Sequence, residues 1–327
     1  MDPAPAAPAP QGKMLAGIAY GAGAGALWGL VFLAPELAHG FGPLQLTIGR
    51  YISYGLIALA LIAPRWAALK PKLHRREWLT LAWLAVSGNI LYYILLSSAV
   101  QNGGIAMTSL VIGFLPVVVT IVGSRDTGAV RLGKLMPSLL LCAAGALCIG
   151  WQAIASPAAD TMTQQLIGLA CAVGALACWS AFAISNSRSL ARLDTISAHE
   201  WSLLFGVVSG VLSLALIPVA LLTEPMQHAT NDWLRFLAAS VGVAFIASIV
   251  GNALWNQMSR RLPLTMVGQM ILFETLFALI YGFIWEQRLP TALEVAAFVL
   301  VVASVLSCMA AHRPGRQPLQ ATVAKQQ

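Results

Sequence analysis

Residues 87–98 read SGNILYYILLSS, and residues 250–261 read VGNALWNQMSRR. Each stretch places a Gly-Asn pair inside a long apolar run, and an aromatic residue follows the Asn by three positions. The amide side chains of Asn89 and Asn252 carry donors and an acceptor, which are costly to bury in apolar surroundings without partners. The recurrence of this costly feature at two distant places predicts a chain built from two related halves, with a role for the amide in each.

The composition indicates a polytopic membrane protein. The chain has 327 residues, of which 58% are hydrophobic and 9% charged, whereas a soluble domain is about 25% charged. Apolar runs of about 17 to 25 residues recur along its length, and each could cross the bilayer as a helix. We therefore predict an all-α integral membrane protein with ten transmembrane helices. The predicted spans are residues 15–35, 44–64, 78–98, 104–124, 134–151, 166–186, 201–222, 234–256, 264–284 and 291–311.

The net charge of +7 indicates topology rather than an anionic partner. Nearly all Lys and Arg residues near the predicted spans fall on one side of them, including the cluster Arg65, Lys70, Lys72, Arg75 and Arg76. The positive-inside rule then predicts that both termini are cytoplasmic. A nucleic-acid partner is not expected.

The predicted spans divide into two sets of five. GAGAGALWGLVF, from residue 21, matches AVGALACWSAFA, from residue 172, and this match aligns Trp28 with Trp179. Because five is odd, the second half enters the membrane from the opposite side, which predicts an inverted repeat with a substrate site between the halves.

This division predicts five regions of the chain. The first and second repeats are residues 15–151 and 166–311, joined by a periplasmic linker at 152–165. A disordered tail, residues 1–14, and a second tail, residues 312–327, lie in the cytoplasm.

Three short motifs carry a resemblance to a known family. Ala-Leu-Trp-Gly in span one, TIGRYI at 47–52 and WEQRLP at 285–290 resemble the drug/metabolite transporter superfamily in its EamA-type branch. The resemblance covers about residues 12 to 311, and within the branch the chain is most similar to bacterial exporters of aromatic amino acids. It implies a bacterial inner-membrane protein in which spans five and ten are peripheral and the others, apart from span two, surround a central cavity. The chain departs from the pattern by lacking a Glu after span four.

Two charged residues lie deep inside predicted spans, where charges are rare and usually face a cavity or a partner. The guanidinium of Arg50 matches a substrate carboxylate, although it could also snorkel to the interface. Glu274 could bind an ammonium group or couple transport to protons, or it could form a structural pair with Arg50. The sequence leaves open whether the two residues interact.

Amide and aromatic side chains complete the predicted substrate site. The amides could hold both ends of a zwitterion or could bond helices to one another, and the aromatic rings could line the cavity or fill the core. Beside Arg50 and Glu274, the predicted substrate-binding residues are Asn89, Tyr92, Tyr93, Asn252, Trp255, Asn256, Trp28, Trp179 and Gln269.

Other tryptophans and polar residues have simpler interpretations. Trp66, Trp78, Trp201 and Trp233 lie at span ends, as expected of an interfacial belt. Asn186 lies near a cytoplasmic end, where capping or interfacial solvation would explain it.

We interpret the chain as an exporter of amino acids, aromatic and other large neutral ones, that works by alternating access as a monomer in the lipid bilayer. A multidrug or lipophilic-cation exporter is the alternative, since Glu274 and the aromatic rings also suit cations. An enzyme is not expected, because the spans lack paired aspartates or a histidine cluster. No cofactor or metal site is predicted. Proton-coupled and facilitative transport both remain open.

Overall fold

A computed structural model describes residues 11–38, 40–125, 130–155, 162–285, 287 and 289–312. This part of the chain forms helices and no strand, which confirms the predicted all-α class. The remaining parts of the two predicted tails and of the linker at 152–165 lie outside the described residues.

The helices are interrupted by short 3-10 and π segments. They are α1 Gln11–Gly29, α2 Ala34–Leu37, α3 Pro43–Ile62, α4 Trp66–Leu69, α5 Arg75–Ala85, α6 Leu91–Ile112, α7 Leu115–Gly123, α8 Leu132–Ala155, α9 Met162–Arg192, α10 Ala198–Leu214, α11 Ile217–Thr223, α12 Thr230–Val243, α13 Asn252–Ser259, α14 Leu264–Met270, α15 Leu272–Trp285 and α16 Ala292–Ala311.

Several helices are long and apolar enough to cross a membrane. Within the described residues there are six by length and composition, or seven if α10 and α11, bent by 45°, form one span. Leu132–Cys148 and Val295–Ala311 are shorter apolar helices. The prediction of a multi-pass helical protein is confirmed, whereas the count of ten spans and their inversion stay predictions.

Some predicted span boundaries were wrong. The expected loop between spans three and four, residues 99–103, is helical, because α6 continues to Ile112. The helix is interrupted instead at Gly113 and Phe114, and α7 then begins with Pro116 in its first turn. A proline is tolerated there but would break a hydrogen bond in a helix interior.

The helices pack mainly across the two predicted halves. The most extensive contacts join α6 with α9, α3 with α10, α8 with α16, α1 with α15 and α7 with α14. Three of them, α3 with α10, α7 with α14 and α8 with α16, join spans at equivalent places in the two halves. Such pairing is what a two-fold axis between related halves would produce.

Helices α3 and α10 approach each other through glycine. A Cβ atom built on Gly55 would lie 2.8 Å from the Cα atom of Gly210, and one built on Gly210 would lie 2.8 Å from the Cα atom of Gly55. Small residues permit this close approach of helix backbones in membranes. The contact fixes the distance between two helices that carry polar groups of the core.

Replacing Gly210 with Ala should therefore destabilise the protein. The added methyl group meets backbone that cannot rotate away, and overpacking of this kind costs about 1–2 kcal/mol. Gly242→Ala on α12 is the matched control, because nothing lies within 4 Å of its added methyl group. Thermal unfolding in detergent should show a lower Tm for Gly210→Ala and an unchanged or higher Tm for Gly242→Ala. Equal Tm values for the two variants would contradict the close approach.

Candidate functional site

Both Gly-Asn pairs lie at π-helical segments. The first segment, Val86–Ile90, contains Gly88 and Asn89. The second, Ala244–Gly251, ends immediately before Asn252. A π segment widens the helix and changes which side chains face a neighbour, and such segments are frequent at functional sites. The same irregularity thus occurs at the same motif in both predicted halves.

The glycine of each pair makes room for an aromatic ring from the other half. A Cβ atom on Gly251 would lie 2.7 Å from the indole nitrogen of Trp28, and one on Gly88 would collide with the ring of Phe182. Gly88 and Gly251 therefore allow side chains of α1 and α9 to press against the two π segments. This contact draws the aromatic residues of both halves together.

These rings form one buried aromatic cluster, which consists of Trp28, Tyr92, Trp179, Phe182 and Trp255. The ring centroids of Trp28 and Trp179 are 5.2 Å apart, edge to face, and those of Trp28 and Trp255 are 4.9 Å apart. Tyr92 and Phe182 each stack on Trp179, and their ring centroids lie 5.0 Å and 4.7 Å from that of Trp179. Each of the five residues is at most 6% exposed. The two tryptophans aligned by the predicted repeat therefore meet in the core.

The indole N–H groups of the cluster differ in their bonding. The indole nitrogen of Trp28 donates to the carbonyl oxygen of Ala247, inside the second π segment, at 3.0 Å. The buried indole nitrogens of Trp179 and Trp255 have no hydrogen-bond partner. The aromatic cluster thus holds two unsatisfied donors, and each is costly unless a ligand accepts from it.

Trp28 and Trp179 meet the opposite half differently. Trp28 lies against Gly251 and bonds Ala247, four residues earlier. At Gly88, in the first half, the nearest atoms to an added Cβ all belong to the ring of Phe182. Trp179 instead stacks on Tyr92 and Phe182, so the two aligned tryptophans do not have equivalent surroundings.

Arg50 is buried beside the cluster, on α3. Its Nε donates to the Ser248 hydroxyl in the second π segment at 3.1 Å, and its guanidinium carbon lies 5.1 Å from the ring centroid of Tyr51 and 4.6 Å from that of Tyr93. It is 7% exposed, so the predicted alternative of snorkelling to the interface is wrong. The charge is held by rings and a hydroxyl.

Glu274 is buried at the start of α15 and is 5% exposed. Its backbone packs against α1, since a Cβ atom on Gly25 would lie 2.7 Å from the Glu274 nitrogen. The Oε2 atom has no hydrogen-bond partner. Glu274 forms no ion pair within 4.0 Å with any described residue, Arg50 included. A direct Arg50–Glu274 ion pair, which the sequence leaves open, is therefore not formed.

The two asparagines each bond a neighbouring helix. Asn89 donates to the hydroxyl of Ser209 on α10 at 2.7 Å. Asn252 donates to the hydroxyl of Tyr54 at 3.4 Å, and that hydroxyl donates in turn to the Ser202 carbonyl oxygen at 2.6 Å. Each amide keeps its carbonyl oxygen as a further acceptor.

Two predicted site residues lie apart from the cluster. Asn256 accepts from Asn186 at 2.8 Å, and Gln269 accepts from the hydroxyl of Ser304 on α16 at 3.1 Å. Their amides thus join α13 to α9 and α14 to α16.

Asn186 and Trp201 were interpreted wrongly as interfacial residues. They are 2% and 1% exposed, and the indole nitrogen of Trp201 donates to Asn186 at 3.1 Å. This bond satisfies the indole inside the protein, so Trp201 does not need the wet interface.

An apolar groove reaches residues next to the aromatic cluster. Its volume is about 640 Å³, and its lining includes Asp232, Arg235 and Ala247. Ala247 is the residue whose carbonyl oxygen accepts from Trp28. The five aromatic side chains of the cluster are themselves buried.

Sequence reasoning missed several residues of this site. Phe182, Tyr54, Ser209 and Ser248 supply contacts to the predicted residues, and they occur among many similar residues in apolar spans. The Gly-Asn pair was the available signal, because a glycine beside a buried amide suggests close approach of another group. The π segments had no sequence signal.

On the transport function that the sequence predicts, removing the Asn89 amide should reduce substrate flux more than it reduces stability. Asn89→Ala loses a bond worth about 0.6 kcal/mol, and it also removes the free amide oxygen. The matched variant Ser209→Ala breaks the same bond but leaves the amide. We expect Asn89→Ala to slow substrate flux about fivefold and Ser209→Ala to leave it unchanged, as measured in liposomes beside thermal unfolding. Equal flux in the two variants would assign the amide a purely structural role.

The helical bundle and its core define a multi-pass membrane protein with buried charges, amides and indole groups among its spans. Within the described residues, no group of three or more His, Cys, Asp and Glu side chains could hold a metal ion. The model of the EamA-like transporter family matches residues 15–151 and again residues 166–309. The chain therefore belongs to the EamA-like transporter family.

Two further comparisons concern a relative and a solved structure. The chain is similar to the inner membrane protein YtfF of Escherichia coli (strain K12), with 30% identity over 325 residues, which cover 95% of this chain and all of the relative. It also resembles a solved crystal structure with a TM-score of 0.69 at 17% identity, over 90% of this chain and 98% of the other. At that identity the second match shows the fold alone.

Proposed function

We propose that the protein exports amino acids, aromatic and other large neutral ones, across the bacterial inner membrane by alternating access. The proposal includes two inverted five-helix repeats, residues 15–151 and 166–311, and cytoplasmic termini. The pairing of equivalent helices across the halves supports the repeats, and the inner-membrane location of YtfF supports the compartment. The protein is proposed to function as a monomer.

One observation carries the choice of substrate. The aromatic cluster has two buried donors without partners, on Trp179 and Trp255, and Glu274 beside it has a buried acceptor without a partner. An amino acid supplies the complement of both: its carboxylate accepts from N–H groups, and its ammonium group donates to a carboxylate. A flat apolar side chain suits the surrounding rings.

The roles of the other residues follow from their positions. Arg50 is proposed to attract the substrate carboxylate, since no carboxylate of a described residue lies within 4.0 Å of its guanidinium. Asn89 and Asn252 offer amide oxygens from the two π segments. Tyr92 is proposed to line the aromatic part of the site, because it stacks on Trp179. Tyr93 is proposed to line the part around Arg50, whose guanidinium lies over its ring. Asn256 and Gln269 are proposed to hold helices in register.

The experiment is substrate flux in liposomes that contain the purified protein. Radiolabelled tryptophan, phenylalanine and methionine should move down their gradients, whereas liposomes without protein should show leakage only. A labelled quaternary cation is the second probe, because an unpaired carboxylate among aromatic rings also suits a cation. Flux of the cation without flux of the amino acids would replace the proposal with the multidrug alternative.

A further inference from the structure

A basic pocket opens between α5 and α9, away from the aromatic cluster. Its volume is about 770 Å³, and four arginines line it, Arg75 and Arg76 from α5 and Arg188 and Arg192 from α9. All four side chains are exposed. None of the described residues that line this pocket is acidic. Glu77 lines the adjoining space beside Arg76 and Arg192, and the four arginines leave a net positive charge.

The two helices bring these arginines together because of where each one begins and ends. Helix α5 begins at Arg75 and α9 ends at Arg192, so the first turn of one meets the last turns of the other. On both helices the lining residues recur at steps of four, which places them along one face of each helix. The pocket is thus a groove between two facing helix stripes.

The polarity of the groove changes along its length. Arg75, Arg76 and Arg192 lie at one end, and Arg188 follows together with the hydroxyl-bearing residues Thr80 and Ser189. Trp83 and Ile184 lie at the other end of the groove. They are eight residues from Arg75 and Arg192 respectively, or about 12 Å at 1.5 Å per residue.

The apolar part of the groove is open to its surroundings. Trp83 is 53% exposed and Leu79 59% exposed. The indole nitrogen of Trp83 donates to the Ser185 hydroxyl at 3.3 Å, which ties the two walls together. A lipid chain is the natural cover for such exposed apolar side chains within a transmembrane span.

Three of the four arginines that line this pocket differ from neighbouring cations in their bonding. Lys72 donates to the Thr195 carbonyl oxygen, Arg260 donates to the Ile196 carbonyl oxygen, and Arg65 pairs with Glu200 at 3.4 Å. Arg75, Arg76 and Arg192 form no side-chain hydrogen bond or ion pair with any residue that the structure describes. Their donors remain available to an external anion.

We propose that this pocket binds the headgroup of an anionic phospholipid. The arginines hold the phosphate, for which the guanidinium fork is well matched, the hydroxyl groups face the ester region, and an acyl chain lies over Leu79, Trp83 and Ile184. Basic pockets between transmembrane helices bind such headgroups. A free phosphate ion would use the arginines but leave the apolar half of the groove uncovered. The bound lipid would join α5 to α9, the helices that lead to Asn89 and Trp179.

Thermal unfolding of the full-length protein in detergent tests this site without any transport measurement. Phosphatidylglycerol should raise the Tm of the wild type, whereas phosphatidylcholine and inorganic phosphate at the same concentration should not. The variant Arg75→Gln/Arg76→Gln/Arg192→Gln should bind phosphatidylglycerol about a hundredfold more weakly, since each cation contributes about a factor of five to attraction by anionic lipid. Native mass spectrometry of the same samples should show the loss of retained lipid.

A matched variant separates the pocket from general charge. Lys13→Gln/Lys70→Gln/Lys134→Gln removes the same number of exposed cations from outside the pocket, and it should keep the wild-type response. Equal loss in the two variants would assign the effect to net charge and overturn the proposal. A response of the wild type to inorganic phosphate as large as to phosphatidylglycerol would make this a soluble-anion site. If the triple arginine variant does not fold, Trp83→Ala tests the chain contact, and an unchanged lipid response there would also contradict the proposal.

Discussion

Replacing Glu274 with Gln should abolish the response of transport to a proton gradient. For one proton exchanged per substrate, the wild type should accumulate labelled amino acid about tenfold for each pH unit across the liposome membrane. The Gln variant should equilibrate the substrate to a ratio of about one. The measurement is the steady-state ratio of labelled substrate with and without an imposed pH difference.

The expectation follows from the surroundings of the carboxyl group. It is buried, its Oε2 atom has no partner, and it forms no ion pair with a described residue. A buried carboxylate without a partner is costly, and the cost is relieved when a proton or a bound cation neutralises it. Proton and substrate ammonium would therefore compete for the same group. Gln preserves the size of the side chain but cannot take up the proton.

Asp194→Asn is the matched control for this change. Asp194 is a carboxylate in the loop between α9 and α10. It is exposed, whereas Glu274 is buried. The control should accumulate substrate like the wild type. If Glu274→Gln keeps the tenfold response, the carboxylate has no part in coupling, and Glu274 would then serve substrate binding or packing alone.

Much of the fold could be predicted from composition and periodicity. Apolar runs of spanning length have few alternatives in a bilayer, because the backbone must satisfy its own hydrogen bonds there. The element boundaries were harder to predict. Nothing in QNGGIAMTS, residues 101–109, shows that the helix continues through it, and the two glycines favour a break. The helical continuation depends on packing that the sequence does not display.

The site was predictable in its parts but not in its contacts. The matched motifs drew attention to Trp28, Trp179 and the two asparagines, and the structure brings both tryptophans together. Burial of Asn186 and Trp201 was not predictable, because a position near a span end is compatible with either an interfacial or a core location. The π segments and the pairing of Trp28 with Ala247 depend on tertiary contacts between the halves. Equivalent residues in the two halves therefore need not share the same bonding.

The unequal bonding of Trp28 and Trp179 leads to opposite expectations for the same substitution. Trp28→Phe removes an N–H that the Ala247 carbonyl oxygen accepts, and the loss of such a buried hydrogen bond costs about 0.5–1.5 kcal/mol. Trp179→Phe removes an N–H that has no partner in the protein, so it lacks that cost. Both changes remove the same volume from the same cluster, so the packing loss is matched. Trp28→Phe should thus have the lower Tm of the two variants.

Transport should show the reverse order. If the Trp179 indole donates to the substrate carboxylate, its loss removes a hydrogen bond to a charged group, worth about 1.5–3 kcal/mol. We expect the half-saturating substrate concentration for Trp179→Phe to rise about thirtyfold, and that of folded Trp28→Phe to stay near the wild-type value. Concentration-dependent flux in liposomes, normalised to folded protein, measures both. An unchanged half-saturating concentration in Trp179→Phe would show that this buried donor does not bind the substrate.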